Sequence, residues 1–174
     1  LLKLNDGISL FSGTINGLFG NLFNKGKFSE IEKLYKNLKE NYNDRFYIEV
    51  QRHGDQNELG FEKFNLNQSN NLEIPLIATN EVYYIDKNMH EAHDALICIG
   101  QKTYVNEKNR TKFSQEHYLK NDYEMSELFS DIPEALENNF NFPLRCSFRP
   151  LFSKPILPNI SSTKDGDAND ILKK

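Results

Sequence analysis

Two short stretches carry side chains suited to holding a divalent cation: Glu49-Val50-Gln51-Arg52-His53 and Thr79-Asn80-Glu81-Val82-Tyr83-Tyr84. An imidazole nitrogen and a carboxylate oxygen are both metal donors, and His53 with Glu81 offers one of each. A stable site wants about three or four protein ligands. Only this pair is evident, so the expectation is a polar, metal-free rim. His90 and His93 stand three apart, a spacing that can co-ligate zinc on a helix. The string His90-Glu91-Ala92-His93 is one residue too short for HExxH, however, and no third ligand follows at a metalloprotease spacing. A helix cap or a buried hydrogen bond is the expected role there. His117 lies in a polar stretch and reads as a surface residue. Gly13, Gly17, Gly20 and Gly26 make neither a GK[ST] loop nor GxGxxG, and no lone Ser or Cys has a nucleophile's local signature. Asp122, Glu124, Glu127 and Asp131 read as a solvated helix face.

The elements that must position these residues belong to a chain of 174 residues, one domain's worth. Apolar residues are 38% and charged residues 26%, lean but globular because 13 Phe and 8 Tyr each bring a large apolar area. Net charge is −4, and no window is polybasic, so the chain by itself is a poor main groove for nucleic acid. The negative charge concentrates in 51–100, which also holds three of the four His. Cys98 and Cys146 form no CxxC, which fits reduced thiols buried as small hydrophobes in a cytoplasm. No run approaches a membrane span, and no signal peptide is visible. The chain begins at Leu1 without Met, which suggests a piece of something longer.

Periodicity predicts α/β architecture. Ile8 to Ser12 reads as a strand, and 14–28 as a loop with a short helix. Ser29 reads as the N-cap of a helix to about Asn41, with Glu32 at the capping-box spacing. Phe46 to Val50 is a strand rich in aromatic and β-branched residues. The helical pattern over 56–73 is weak. Ile74 to Thr79 is a near-continuous apolar strand of the kind a parallel sheet buries. A helix follows from Asn88 to about Gln101, then a loop over 102–116, then short helices over Tyr123 to Phe129 and Pro133 to Phe140. Pro150, Pro155, Pro158 and Gly166 mark 150–174 as an extended linker, leaving 1–149 as the domain. Alternating helices and parallel strands place His53 and Glu81 on one rim, at the carboxyl ends of neighbouring strands.

Several blocks resemble the polymerase-and-histidinol-phosphatase (PHP) domain of bacterial DNA polymerase III alpha subunits. Glu49-Val50-Gln51-Arg52-His53-Gly54 is similar to a strand and turn of that domain. Ala78-Thr79-Asn80-Glu81-Val82-Tyr83-Tyr84 is similar to its ATND-x-HY strand, and Ala92-His93-Asp94-Ala95-Leu96-Ile97-Cys98-Ile99 to its AHD-x-L-x-x-I helix. Tyr123-Glu124-Met125-Ser126-Glu127-Leu128-Phe129 with Asp131-Ile132-Pro133-Glu134-Ala135-Leu136-Glu137-Asn138 is the most specific, resembling EEM-x-ELF-x-D-x-PEALEN. Ser12-Gly13 resembles an earlier LSG element, and Leu157-Pro158 the exit toward the polymerase core. Nearly the whole chain is covered.

The resemblance implies an incomplete distorted β/α barrel of PHP type, with C-terminal helices and an extended linker. It implies a trinuclear metal site at the carboxyl rim whose first His and Asp ligands precede Leu1, and polymerase carboxylates that follow Lys174. His53 matches a family metal ligand. Glu81 stands where metal-binding members carry Asp, and Tyr83 where they carry His. A phenol of pKa about 10 is a poor ligand beside neutral imidazole. This resembles the members with a degraded site, in which the domain braces the polymerase and docks a separate proofreading exonuclease subunit. The parent would be a cytoplasmic DNA-directed DNA polymerase using Mg²⁺ on template-primer DNA, with other replicase subunits as partners and no membrane. The alternative is a metal-dependent phosphoesterase or 3'–5' proofreading nuclease. Strands expected upstream would leave a sheet edge open in the chain taken alone. The isolated chain is therefore expected to be marginal or to aggregate; a sharp cooperative thermal melt contradicts that.

Overall fold

The computed structural model describes residues 5–155. At its centre is a parallel sheet in the order β1-β2-β3, with β1 at Leu10–Phe11, β2 at Phe46–Val50 and β3 at Leu76–Ala78. Leu10 lies beside Phe46, and Ile48 beside Leu76. Parallel neighbours need long crossovers. Helices α1 (Leu18–Asn24) and α2 (Phe28–Tyr42) make the first, and α3 (Glu58–Leu72) the second. Helices α4 (His90–Gln101), α5 (Asp122–Leu128) and α6 (Pro133–Asn141) follow. The α/β alternation is as expected. Residues 151–155 have no regular structure, and the rest of the expected linker lies outside the described residues.

β2 is the middle strand, paired along both edges, and all its residues but the half-buried Glu49 are buried. Phe46, Ile48 and Val50 join Ile31 and Tyr35 of α2, Phe61 of α3 and Leu76 of β3 in one core with Phe129, Ile132 and Ala135. Full burial of residues such as Ile31, Ile48 and Phe46 stabilises by roughly 1.5–3 kcal/mol each. β1 is shorter than the apolar run predicted because Ser12 takes over its ladder. The Ser12 N–H donates to Tyr47 O at 3.0 Å, and its hydroxyl accepts the Glu49 N–H at 2.9 Å. α6 packs along β3, and the Asn138 side-chain amide donates to Leu76 O at 2.8 Å, which quiets that edge of the sheet.

Two local expectations are corrected. Ser29 does not cap α2: the helix begins at Phe28 after Lys27, without a side-chain cap. The capping box lies instead at α5, where Asn121 Oδ1 accepts the Glu124 N–H at 3.0 Å and Glu124 accepts the Asn121 N–H at 2.9 Å. Cys146 is exposed rather than buried, because it follows the short 3-10 turn Pro143–Arg145 beyond the last core helix; Cys98 is buried in α4. The glycine-punctuated segment is a packing device. A Cβ on Gly20 would meet the Ile15 carbonyl oxygen at 2.0 Å, so only glycine lets α1 fold back on the chain entering it.

The weak pattern over 56–73 is a full helix whose inward face is polar. On α3, Asn65, Gln68 and Ser69 are buried beside Phe61. Tyr35 donates to Asn65 Oδ1 at 3.0 Å, and Ser69 donates to Ile74 O at 2.7 Å. Polar groups substitute there for apolar ones, with the Asn65 amide nitrogen left buried without a hydrogen-bond partner, so the hydrophobic period fades. Glu62 on the same helix takes a bidentate pair from Arg52 at 2.9 and 2.6 Å. Arg52 also reaches Asp131 at 2.6 and 2.8 Å and lies 4.9 Å over the Phe129 ring. The end of β2 is thereby pinned to α3 and to the α5–α6 turn. Glu62 is largely buried and Asp131 is 62% exposed, so the two pairs differ in weight. We expect Arg52→Met to cost about 3 kcal/mol by stranding the Glu62 carboxylate. Asp131→Asn should cost less than about 1 kcal/mol, since water already screens that pair. Urea denaturation of both variants measures the difference, and equal losses would contradict the assignment.

Candidate functional site at the carboxyl rim

Beyond Val50 the chain turns sharply at His53-Gly54-Asp55, with Gly54 at φ +80°. Three consecutive N–H groups there point inward, and one carboxylate collects them. Glu58, at the start of α3, accepts from His53 at 2.7 Å, Gly54 at 2.8 Å and Asp55 at 3.3 Å through a single oxygen. Its other oxygen faces His53 Nδ1 at 3.5 Å. Burial raises the Glu58 carboxyl, but the hydrogen bonds from the His53 ring and from the His53 and Gly54 backbone outweigh it and hold the group below the usual carboxylate range.

His53 is 2% exposed, and both of its ring nitrogens have neighbours. Nε2 lies 3.0 Å from Asn80 Oδ1 and 3.3 Å from the Glu81 backbone nitrogen. Asn80 is oriented from its far side, where its amide donates to Tyr118 O at 2.7 Å. His53 and Glu81 thus share the rim, as expected of neighbouring parallel strands. They meet through the Glu81 backbone, however, not its carboxylate. That carboxylate accepts from the Tyr83 hydroxyl at 2.5 Å. Burial, the hydrogen bond to Glu81 and the Glu81 charge together push the Tyr83 phenol up to about 12, so it stays protonated and donates.

His117 is not a surface residue. It is buried and stacks on His53 with ring centroids 4.1 Å apart and planes 12° apart. Burial, then the nearby His53, pushes its imidazole below the ordinary histidine value. Its Nδ1 lies 3.2 Å from both the hydroxyl and the carbonyl oxygen of Ser114. The same hydroxyl accepts the Glu116 N–H, so the Ser114–His117 contact is part of a turn rather than a nucleophile and base. His90 and His93 do not converge on a metal. His90 Nε2 is 2.9 Å from Phe113 O, and the His93 ring stacks on Tyr83 at 5.3 Å. The four histidines line one aromatic cluster with Tyr83, Tyr84 and Phe113.

Outside this cluster is an open cleft of about 570 Å³ whose walls include Asp55, Glu81, Tyr83, Lys112 and Phe113. It can take a polar ligand by hydrogen bonding. Among the described residues, no three His, Cys, Asp or Glu side chains come together in a way that would hold a metal ion. The donor atoms of His53 and Glu58 are turned toward protein partners, and one oxygen of Glu81 accepts from Tyr83. The residues present therefore do not fit a multinuclear centre. The acidic run is mostly solvated, as read, although Asp131 holds Arg52 and Glu124 accepts from the Tyr118 hydroxyl at 2.8 Å.

No family model matches the chain. Curated relatives do. The DNA polymerase III subunit alpha of Caulobacter vibrioides is 36% identical over 162 residues, 93% of this chain. Those of Rickettsia bellii and Rickettsia felis are 38% and 33% identical over 158 and 174 residues, 91% and 100% of this chain. The chain is homologous to a short segment of the bacterial DNA polymerase III alpha subunit. It spans 14%, 13% and 14% of the length of these three alpha subunits. In this chain, sequence reasoning missed Glu58 and the burial of His117. No local signal could have found His117, whose partner His53 is remote in sequence. Glu58 sits three residues after Asp55, a spacing from which a carboxylate can reach back to turn N–H groups.

Acid should loosen this rim from two sides. His117 has a depressed folded value, so protonation favours the unfolded chain as pH falls below about 6.5, its unfolded value. Glu58 is also depressed, and its contribution, present above about 4.5, is lost as pH falls through its folded value. Stability measured by denaturant titration is expected to decline from pH 6.5 downward, by at most about 1.4 kcal/mol per pH unit for each proton. His117→Phe should flatten the upper part of the decline and leave the lower part in place. An unchanged upper slope would contradict the neutral buried imidazole.

Proposed function

We propose that this chain is a PHP-type segment of a replicative DNA polymerase III alpha subunit, serving as a brace for the polymerase and a dock for its partners. The observation that carries the reading is the closed Tyr83–Glu81 pair. A protonated phenol donating to a carboxylate occupies the two seats that, by family resemblance, metal-binding members fill with His and Asp. One Glu81 oxygen accepts from the phenol, and the protonated phenol offers no anionic oxygen of its own. His53, the remaining match to a ligand, is held by Glu58 and Asn80 and covered by His117.

The three parallel strands and their helical crossovers are compatible with part of a β/α barrel whose further strands come from elsewhere in the polypeptide. The parent would add deoxynucleotides to a template-primer with Mg²⁺, held by carboxylates outside this chain. The proofreading exonuclease subunit and other replicase subunits are the partners this role calls for. Among the described residues no helix is long and apolar enough to cross a membrane, which is compatible with work in the cytoplasm.

Metal analysis of the full-length alpha subunit, with the Mg²⁺ of the polymerase carboxylates removed by dialysis, tests the reading. Zinc and manganese are expected well below one ion per chain, with no phosphate-ester hydrolysis above background. His53→Ala should leave primer extension within about twofold of the parent while lowering thermal stability. Stoichiometric zinc or manganese together with hydrolysis that His53→Ala abolishes would overturn the brace in favour of a metal-dependent nuclease.

A further inference from the structure

A small cavity lies where three segments remote in sequence meet. Thr14 from the loop after β1, Glu49 and Gln51 around the end of β2, and Glu58, Glu62 and Asn65 on α3 line it, and its volume is about 10 Å³. A single water molecule needs roughly 10–15 Å³ of such space. All six residues are buried or half-buried. Asn65 is 1% exposed, and its Nδ2 has no hydrogen-bond partner among the described residues. Its Oδ1 is committed to the Tyr35 hydroxyl, which donates at 3.0 Å. Burial pushes the Tyr35 phenol above its ordinary value, so it keeps its proton and acts as the donor, which fixes the end of the amide that is left over. A buried N–H group without an acceptor is expensive, and native interiors almost always supply one.

The chemistry of the lining selects the occupant. The Asn65 N–H groups only donate, so the occupant accepts a hydrogen bond, which neither a metal ion nor an ammonium group can do. Three glutamates border the space, so an anion is repelled. The Glu58 and Glu62 carboxylates are already engaged, by the turn N–H groups and by Arg52. Glu49 gives one oxygen to Thr79 and Gln51, and its other oxygen accepts no hydrogen bond among the described residues. The occupant therefore accepts from an amide, donates to oxygen, carries no charge and has the size of one small molecule. We propose that the cavity is a binding site for one internal water molecule, which accepts from Asn65 Nδ2 and donates to the oxygens of Thr14 and Glu49. Buried waters make about two to four hydrogen bonds each, so this one joins α3 to the ends of β1 and β2. The site stands independently of the role proposed for the rim.

A crystal structure of the full-length alpha subunit, at a resolution that orders solvent, is expected to show one density peak about 2.7–3.2 Å from Asn65 Nδ2 and from at least one lining oxygen. An empty cavity would overturn the proposal. So would a protein acceptor on Nδ2, or a peak about 2.0–2.6 Å from several oxygens, which indicates a metal ion. Hydrogen exchange of the α3 amides, read by mass spectrometry on the same full-length protein, tests the site in solution. Val50 also lines the cavity, and Val50→Ile adds one methylene there. Displacing the water leaves the Asn65 amide unpaired, so exchange is expected to quicken by at least about fivefold. In an Asn65→Leu background the donor is gone, and Val50→Ile should change exchange by less than about twofold. Slower exchange in Val50→Ile alone indicates a dry void being filled and contradicts the water. Equal acceleration in both backgrounds indicates overpacking and contradicts it too.

Discussion

The carboxylate of Glu58 sets the rim. Three N–H groups in a tight turn, taken from water without a partner, would cost several kcal/mol together. One ionised side chain satisfies them and, through its second oxygen, faces the His53 ring. From there the order propagates by short polar links. His53 meets Asn80, Asn80 donates to Tyr118 O, and the Tyr118 hydroxyl donates to Glu124, whose carboxylate closes the capping box of α5. Residues from β2 to α5 are thus locked in one arrangement by a chain in which each member has a partner. Such networks specify a single structure because leaving one member unsatisfied is expensive.

That same chain decides what the rim can do. A metal centre needs donors whose lone pairs point at a common vacancy. Here those of His53 and Glu58 meet N–H groups and an amide, and one oxygen of Glu81 meets a phenol. Tyr83 is the most consequential side chain: its ring extends the aromatic stack over His93 and Phe113, while its hydroxyl occupies the Glu81 carboxylate. An imidazole there would present a lone pair and leave the carboxylate available. The rim is a piece of polar core with an open cleft beside it.

Arg52 and His53 are adjacent yet serve opposite sides of this scheme. They lie just beyond the strand, where the turn sends their side chains to different partners. Arg52 ties the strand end to α3 and to the α5–α6 turn, and His53 ties it to the loops after β3 and before α5. The strand end is held from both faces, so rim geometry and core packing are mechanically one unit.

Much of this was legible in the residue order. β2 came at its observed bounds because aromatic and β-branched residues crowd Phe46–Val50. α2, α4 and α6 were plain because their apolar residues keep the helical period. The shared rim of His53 and Glu81 followed from parallel topology. The polar face of α3 was not legible, because Asn65, Gln68 and Ser69 look solvated until their partners on α2 and at the β3 entrance are known. Nor was the burial of His117, whose surroundings in the chain are hydrophilic and whose stacking partner arrives from a different loop. Side-chain chemistry and local period are properties of the chain order alone. Which lone pair meets which N–H, and which histidine lies under which, depend on contacts between segments far apart in the chain, and only the folded packing sets those.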